Sequence, residues 1–223
     1  AMASVIQIVV SPHGFTANDV GPIAVSGHQV DDLVNDQVDD YVAAVVAALE
    51  GIDFSNLSNI TVTGSEGGLV VLSHAGTPLR PIIWASDTTS QADAQWCLKK
   101  HDEQWWINEV GVIPDHSHLV TKLSWLHRSE PDLWQQVVHI CSPADYIRWR
   151  LVSGSKDLMS EMGSIVTSPL DAERTALWSS KNGTYSQPVL NLIESERDWS
   201  KCLPTVRATG AIVGSLFGTL VNL

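Results

Sequence analysis

The chain has 223 residues, 44% of them hydrophobic and 17% charged, which suits a soluble globular protein with one sizeable core. Its formal net charge of −12, with 13 Lys and Arg spread thinly, argues against a phosphate-neutralising face and hence against nucleic acid as a partner. Cys97, Cys141 and Cys202 lie far apart with no CxxC, and no apolar run reaches the ~18 residues of a bilayer span, so a reducing cytoplasm is expected and no membrane.

No signal peptide is read at the N-terminus, and Ala1 ahead of Met2 reads as an expression remnant. Residues 4–10 read as a strand broken by Ser11-Pro12-His13-Gly14, an ordinary strand-ending turn. In residues 35–50, Val38, Val42, Val45, Val46 and Leu49 form one apolar stripe, which predicts a helix. Asn35 or Asp36 is placed to cap its start, and Gly51 to end it.

Residues 58–87 predict strand, glycine-lined bend, strand, hairpin, strand. The apolar runs are Ile60 with Val62, then Leu69 to Leu72, then Pro81 to Trp84, and the hairpin turn is His74-Ala75-Gly76-Thr77. Ligands tend to gather beyond strand ends in open α/β sheets, which singles out Glu66 and Asp87. Asp87 either faces a ligand or caps the helix expected over 88–104, with Gln91 completing a capping box if that helix starts a residue later.

Residues 111–118 form a loop in which Asp115, His116 and His118 are zinc-binding residue types. No fourth ligand is in sight, so no metal site is assigned. Leu119, Leu123, Trp125 and Leu126 supply the apolar face of the next helix, Pro131 opens another, and 137–141 is a short buried strand. Ser142 caps a helix running to Leu151, and a short helix is expected near 187–195. Thr63-Gly64-Ser65-Glu66-Gly67 misses the nucleophile elbow of serine hydrolases, because Thr63 stands where the first glycine must be.

Residues 63–90, TGSEGGLVVLSHAGTPLRPIIWASDTTS, resemble the sugar-contacting segment of the FGGY carbohydrate kinases, xylulokinase-like members most of all. That family has a Gly-Gln-Met-His-Gly-like bend, a hairpin and then Trp-x-Asp-x-Arg. Here the hairpin and Trp84 match, and the bend keeps its glycines with Gly67 in place of the His. Asp87 stands one residue late and Thr89 replaces the Arg. Residues 121–134, TKLSWLHRSEPDLW, and 143–154, PADYIRWRLVSG, extend the resemblance.

The resemblance implies an α/β domain of the ribonuclease H-like, actin-like ATPase type, with a mixed sheet flanked by helices. It makes 1–223 a single sugar-binding N-terminal domain of a kinase that phosphorylates a ketose or polyol such as xylulose, with the C-terminal nucleotide-binding domain absent. Glu66, Gly67, Trp84 and Asp87 would line the sugar cleft. Asp157, in the place of the family's T-D-x-S-x-A-S-x-T, would be the general base toward the attacking hydroxyl, or else the N-cap of a helix. ATP and Mg are the implied cofactors, and Gly14 is the residue of the first turn left to approach a phosphate. The implied partners are a small-molecule sugar and either the second lobe or a second copy of the chain. Where the family has Asp-x-Gly-Thr-Ser this chain has Ser11-Pro12-His13-Gly14. The alternative is therefore a non-catalytic sugar-binding or regulatory homologue, and this half alone is expected to be inactive.

Overall fold

The computed structural model describes residues 4–19, 28–30, 36–50, 52–153, 165–216 and 219–223. Ile6, Ile8 and Val10 alternate along strand β1 (Ser4–Ser11), as Ile60 and Val62 do along β4 (Leu57–Gly64), and all five are fully buried. A period of two turns one face of a sheet to a core. β1 pairs parallel with β4 and antiparallel with β2 (Gly14–Asp19), which continues antiparallel to β3 (His28–Val30). On the far side β4 takes β13 (Thr219–Asn222) in parallel, and β13 takes β12 (Ile212–Leu216) antiparallel. The result is a mixed six-stranded sheet in the order β12-β13-β4-β1-β2-β3.

Helix α1 (Val38–Glu50) lays the expected stripe on this sheet: Val38, Val42, Val45 and Leu49 are buried, with Tyr41 beside them. Asn35 and Gly51 lie outside the described residues. Asp36 does not cap α1; its backbone is left-handed (φ 50°) and its Oδ1 accepts from the indole Nε1 of Trp84 at 2.8 Å. Helix α6 (Pro143–Ser153) packs on α1 and β4. Ser142 caps it as expected: its Oγ accepts from Asp145 N at 3.1 Å, and Asp145 Oδ2 accepts from Ser142 N at 3.3 Å.

The continuous apolar run Leu69 to Leu72 becomes β5 (Gly68–Leu72), buried on both faces. It pairs antiparallel with β6 (Ile83–Trp84) and with β7 (His139–Cys141). Val70, Leu72, Trp84 and Cys141 point into the core beneath the six-stranded sheet. Leu69, Val71, Ile83 and Ile140 point the other way, into a second core.

That second core is helical. It holds Cys97 of α2 (Gln91–Lys100), Trp106 of α3 (Glu103–Val110), Leu123 and Leu126 of α4 (Leu119–Ser129) and Trp134 of α5 (Pro131–Trp134). The single helix expected over 88–104 is two. His101 is extended, and Asp102 starts α3 afresh by accepting from Trp105 N at 2.8 Å. The small parallel pair β8 (Val166–Thr167) and β11 (Thr205–Val206) precedes and follows the rest. Between them lie α7 (Pro169–Glu173), the hairpin β9 (Trp178–Ser179) and β10 (Thr184–Tyr185), and α8 (Gln187–Ile193).

One buried cation ties these parts together. Arg148 of α6 donates to Val62 O of β4 at 2.7 Å, to Asp145 Oδ1 at 2.6 Å and to Val166 O of β8 at 3.4 Å, while 3% of its side chain is exposed. Removing one member of a buried pair leaves the other uncompensated. Arg148→Met is therefore expected to cost about 3–5 kcal/mol, read from the urea midpoint. Arg148→Lys should recover only part of it, because an ammonium cannot fork to three acceptors on three elements.

Candidate functional site

β4 belongs to one sheet and β5 to another, so the chain must turn sharply between Gly64 and Gly68. Ser65 N donates to Val10 O at 2.8 Å and Ala85 N donates to Gly67 O at 2.8 Å, pinning the bend at both ends. A Cβ on Gly64 would lie 2.8 Å from Glu66 O, and one on Gly68 would lie 3.1 Å from Pro143 Cγ and 3.2 Å from Ile83 O. Space requires the first of these glycines, and the second sits against close neighbours. Gly67 differs: a Cβ there would meet nothing within 4 Å.

Gly67 opens onto a cleft. An outer part of about 260 Å³ is bounded by Ser65, Ala85 and His118, and an inner part of about 40 Å³ by Asp145, Asp171, Thr167 and Tyr185. Glu66, Gly67, Ser117 and Arg174 line both. Glu66 Oε1 accepts from Ser86 N at 3.2 Å and Ser86 Oγ at 2.8 Å. Asp171 accepts from Ser168 Oγ at 2.9 Å, and its other oxygen stands 3.7 Å from Arg174, whose side chain is half exposed. Burial pushes the Asp145 carboxyl above its ordinary range against the pull of Arg148, and Asp171 adds to the rise. Three carboxylates, a mobile-length guanidinium and apolar Leu119, Ala144, Leu203 and Pro204 make a wall suited to hydroxyls and C–H faces.

Among the residues expected from the sequence, the structure brings Glu66 and Gly67 together on this cleft. Trp84 lies elsewhere: it is 5% exposed, packs at 5.8 Å from Tyr41 and spends its N–H on Asp36, so it is a core residue. Asp87 does not cap α2. Its Oδ1 accepts from Thr89 N at 2.8 Å and from Thr89 Oγ1, a local turn, while Ser90 takes the cap position. Partial burial opposes its charge, but the Thr89 donors, then Lys122 and Arg80, outweigh it and hold the carboxyl below the usual range. Asp115 Oδ1 accepts from Ser117 N and Oγ within its own loop, and Asp115 N donates to His118 Nδ1 at 3.1 Å. Asp157 lies outside the described residues.

Gly14 is buried at the start of β2, paired with Ser11 across a two-residue Pro12-His13 turn in which His13 has φ 67°. Pro12 has no N–H and the turn carries no carboxylate, so these residues do not fit a cradle for Mg-ATP phosphates. Sequence reasoning missed Arg174, Asp171 and Asp145. The first two had no motif, but Asp145 and Arg148, three apart on one helix, were a visible signal of an ion pair.

Residues 36–221 match the FGGY family of carbohydrate kinases, N-terminal domain. The chain belongs to this family. The xylulose kinase of Streptomyces coelicolor is 27% identical over 158 residues, 70% of this chain and 30% of that protein. That of an Actinoplanes species is 34% identical over 86 residues, 38% of this chain and 52% of that sequence. Xylulose kinase from Bifidobacterium adolescentis superposes with a TM-score of 0.81 at 18% identity, covering 98% of this chain and 52% of that one. Glycerol kinase of Plasmodium falciparum with ADP gives 0.76 at 12% identity, over 98% and 47%. The mixed α/β fold, with its actin-like ATPase topology, is thus shared with sugar kinases, and this chain spans about half of those solved structures.

The glycines of the bend separate packing from cleft. Gly64→Ala is expected to cost ~1–3 kcal/mol in chemical denaturation, because the backbone oxygen it meets cannot move aside. Gly67→Ala should stay within about 0.5 kcal/mol of the parent, since its methyl enters open space.

Proposed function

We propose that this chain is the sugar-side lobe of an FGGY carbohydrate kinase and that it holds a ketose or polyol such as xylulose in the cleft at Glu66 and Gly67. The observation that carries this reading is the open face of Gly67 between carboxylates. Family membership supplies the class of ligand, and the cleft supplies chemistry that suits it. Carboxylates accept hydrogen bonds from hydroxyl groups in pairs, and short apolar walls take the sugar's carbon face. Glu66 is held at one oxygen by Ser86, and Oε2 takes no hydrogen bond among the described residues, so it is available to a hydroxyl.

The kinases of this family are ATP-dependent, and closure of a second lobe would exclude water from the transfer. No phosphate step is assigned to the first turn of this chain, given Pro12 and His13. That same turn favours a second reading, a sugar-binding homologue without transfer activity.

A thermal-shift titration against ketoses, polyols, sugar acids and Mg-ATP tests both. A sugar at a hundred times its Kd is expected to stabilise the chain by ~2.7 kcal/mol, with no shift from Mg-ATP alone. Glu66→Ala should weaken that sugar by about tenfold or more, the size of a lost hydrogen bond to a charged group. No shift across the whole panel would overturn the sugar reading. Sugar binding together with phosphoryl transfer by the longer protein would overturn the non-catalytic one.

A further inference from the structure

Beneath the outer cleft three polar side chains are sealed from solvent: Ser90, Thr121 and Lys122, each 1% exposed or less. Thr121 Oγ1 lies 2.9 Å from Asp115 O, 2.8 Å from His118 O and 3.2 Å from Ser90 Oγ, and Ser90 Oγ donates to His116 O at 3.1 Å. Neutral hydrogen bonds thus fasten the loop before α4 to the start of α2. Lys122 adds a charge at the same junction. Its Nζ donates to Asp87 O at 2.9 Å, which uses one of three N–H groups.

Three carboxylates act on that ammonium through their charge: Asp87 after β6, then Glu66 in the glycine bend and Asp115 before α4. Each accepts its hydrogen bonds elsewhere, Asp87 from Thr89, Glu66 from Ser86 and Asp115 from Ser117. Arg80, which also acts on Asp87, pairs with Glu130, Asp93 of α2 pairs with Arg128, and Arg174 lines the outer cleft with Glu66. Lys122 is therefore the buried counter-charge of the rim without being the direct partner of any one acid.

We propose that Lys122 is a positioning residue of the cleft, whose ammonium holds the turns carrying Glu66, Asp87 and Asp115 in register. This rests on the cleft being the sugar site. Burial pulls the amine down to about 8 against the three carboxylates, from an ordinary value of 10.5. Lowered in the fold, it leaves the unfolded chain holding more protons between those two values, so its contribution to global stability rises with pH there. Rim order and affinity run the opposite way, lost as the charge is lost. A purely structural role would not separate the two signs.

The experiment uses the whole chain, with the sugar identified by the panel above and xylulose otherwise. Between about pH 7 and about pH 9 the wild-type Kd is expected to weaken by up to tenfold, the fall in charged fraction around a midpoint near 8. Corrected backbone hydrogen exchange should accelerate at 85–89 and 115–118 over the same range, while the melting temperature does not fall relative to Lys122→Met. Lys122→Met should show the fast exchange and weak binding at every pH. Lys122→Arg, charged throughout, should bind with no alkaline loss. Flat wild-type exchange across the range overturns the proposal, as does an arginine variant that binds and still weakens at pH 9. If no sugar binds, the sugar reading falls, and the exchange measurement alone decides Lys122.

Discussion

A single guanidinium, Arg148, meets a demand that nothing apolar could meet. It lies where the end of β4, the first turn of α6 and the short strand β8 converge, and each presents an oxygen to it. A planar fork reaches several acceptors at once, and a guanidinium is less strongly hydrated than an ammonium, so it is the cation best suited to burial. Its partner Asp145 also forms the inner wall of the cleft. The position of that wall relative to the glycine bend is set by the same group that ties the strands.

The cleft has a particular electrical character. Glu66, Asp145 and Asp171 outnumber Arg174 along its lining, in a chain of net charge −12. Such a field repels anions and leaves a neutral polyhydroxylated ligand at no disadvantage. Arg174 puts one positive charge on that lining, and a second, Lys122, is buried beneath the rim. A ligand therefore meets mostly acceptors.

Much of the architecture could be read from the chain before any coordinates. The stripe of α1, the strand at Leu69 to Leu72, the Gly76 hairpin and the Ser142 cap are local patterns, and each formed as expected. The resemblance implies Trp84 on the sugar cleft, whereas the structure buries its indole in the core, and only the tertiary placement of Asp36 shows where its N–H goes. The sequence leaves Asp87 between facing a ligand and capping α2; it does not cap, because its Oδ1 holds its own neighbour Thr89, an interaction that competes with capping. Asp171 and Arg174 reach the cleft from a helix of five residues and its C-cap, more than a hundred positions after Glu66. No spacing rule spans that distance.

The strand β5 has a consequence for how this lobe holds together. Its alternate side chains belong to two different cores, Val70 and Leu72 to one, Leu69 and Val71 to the other. Neither core can loosen without withdrawing packing from the strand that closes its neighbour. The two halves are thereby coupled into one melting unit, since a partly unfolded form would leave five fully buried residues of β5 half bare. A cleft built at the mouth of such a strand inherits its rigidity from both sides.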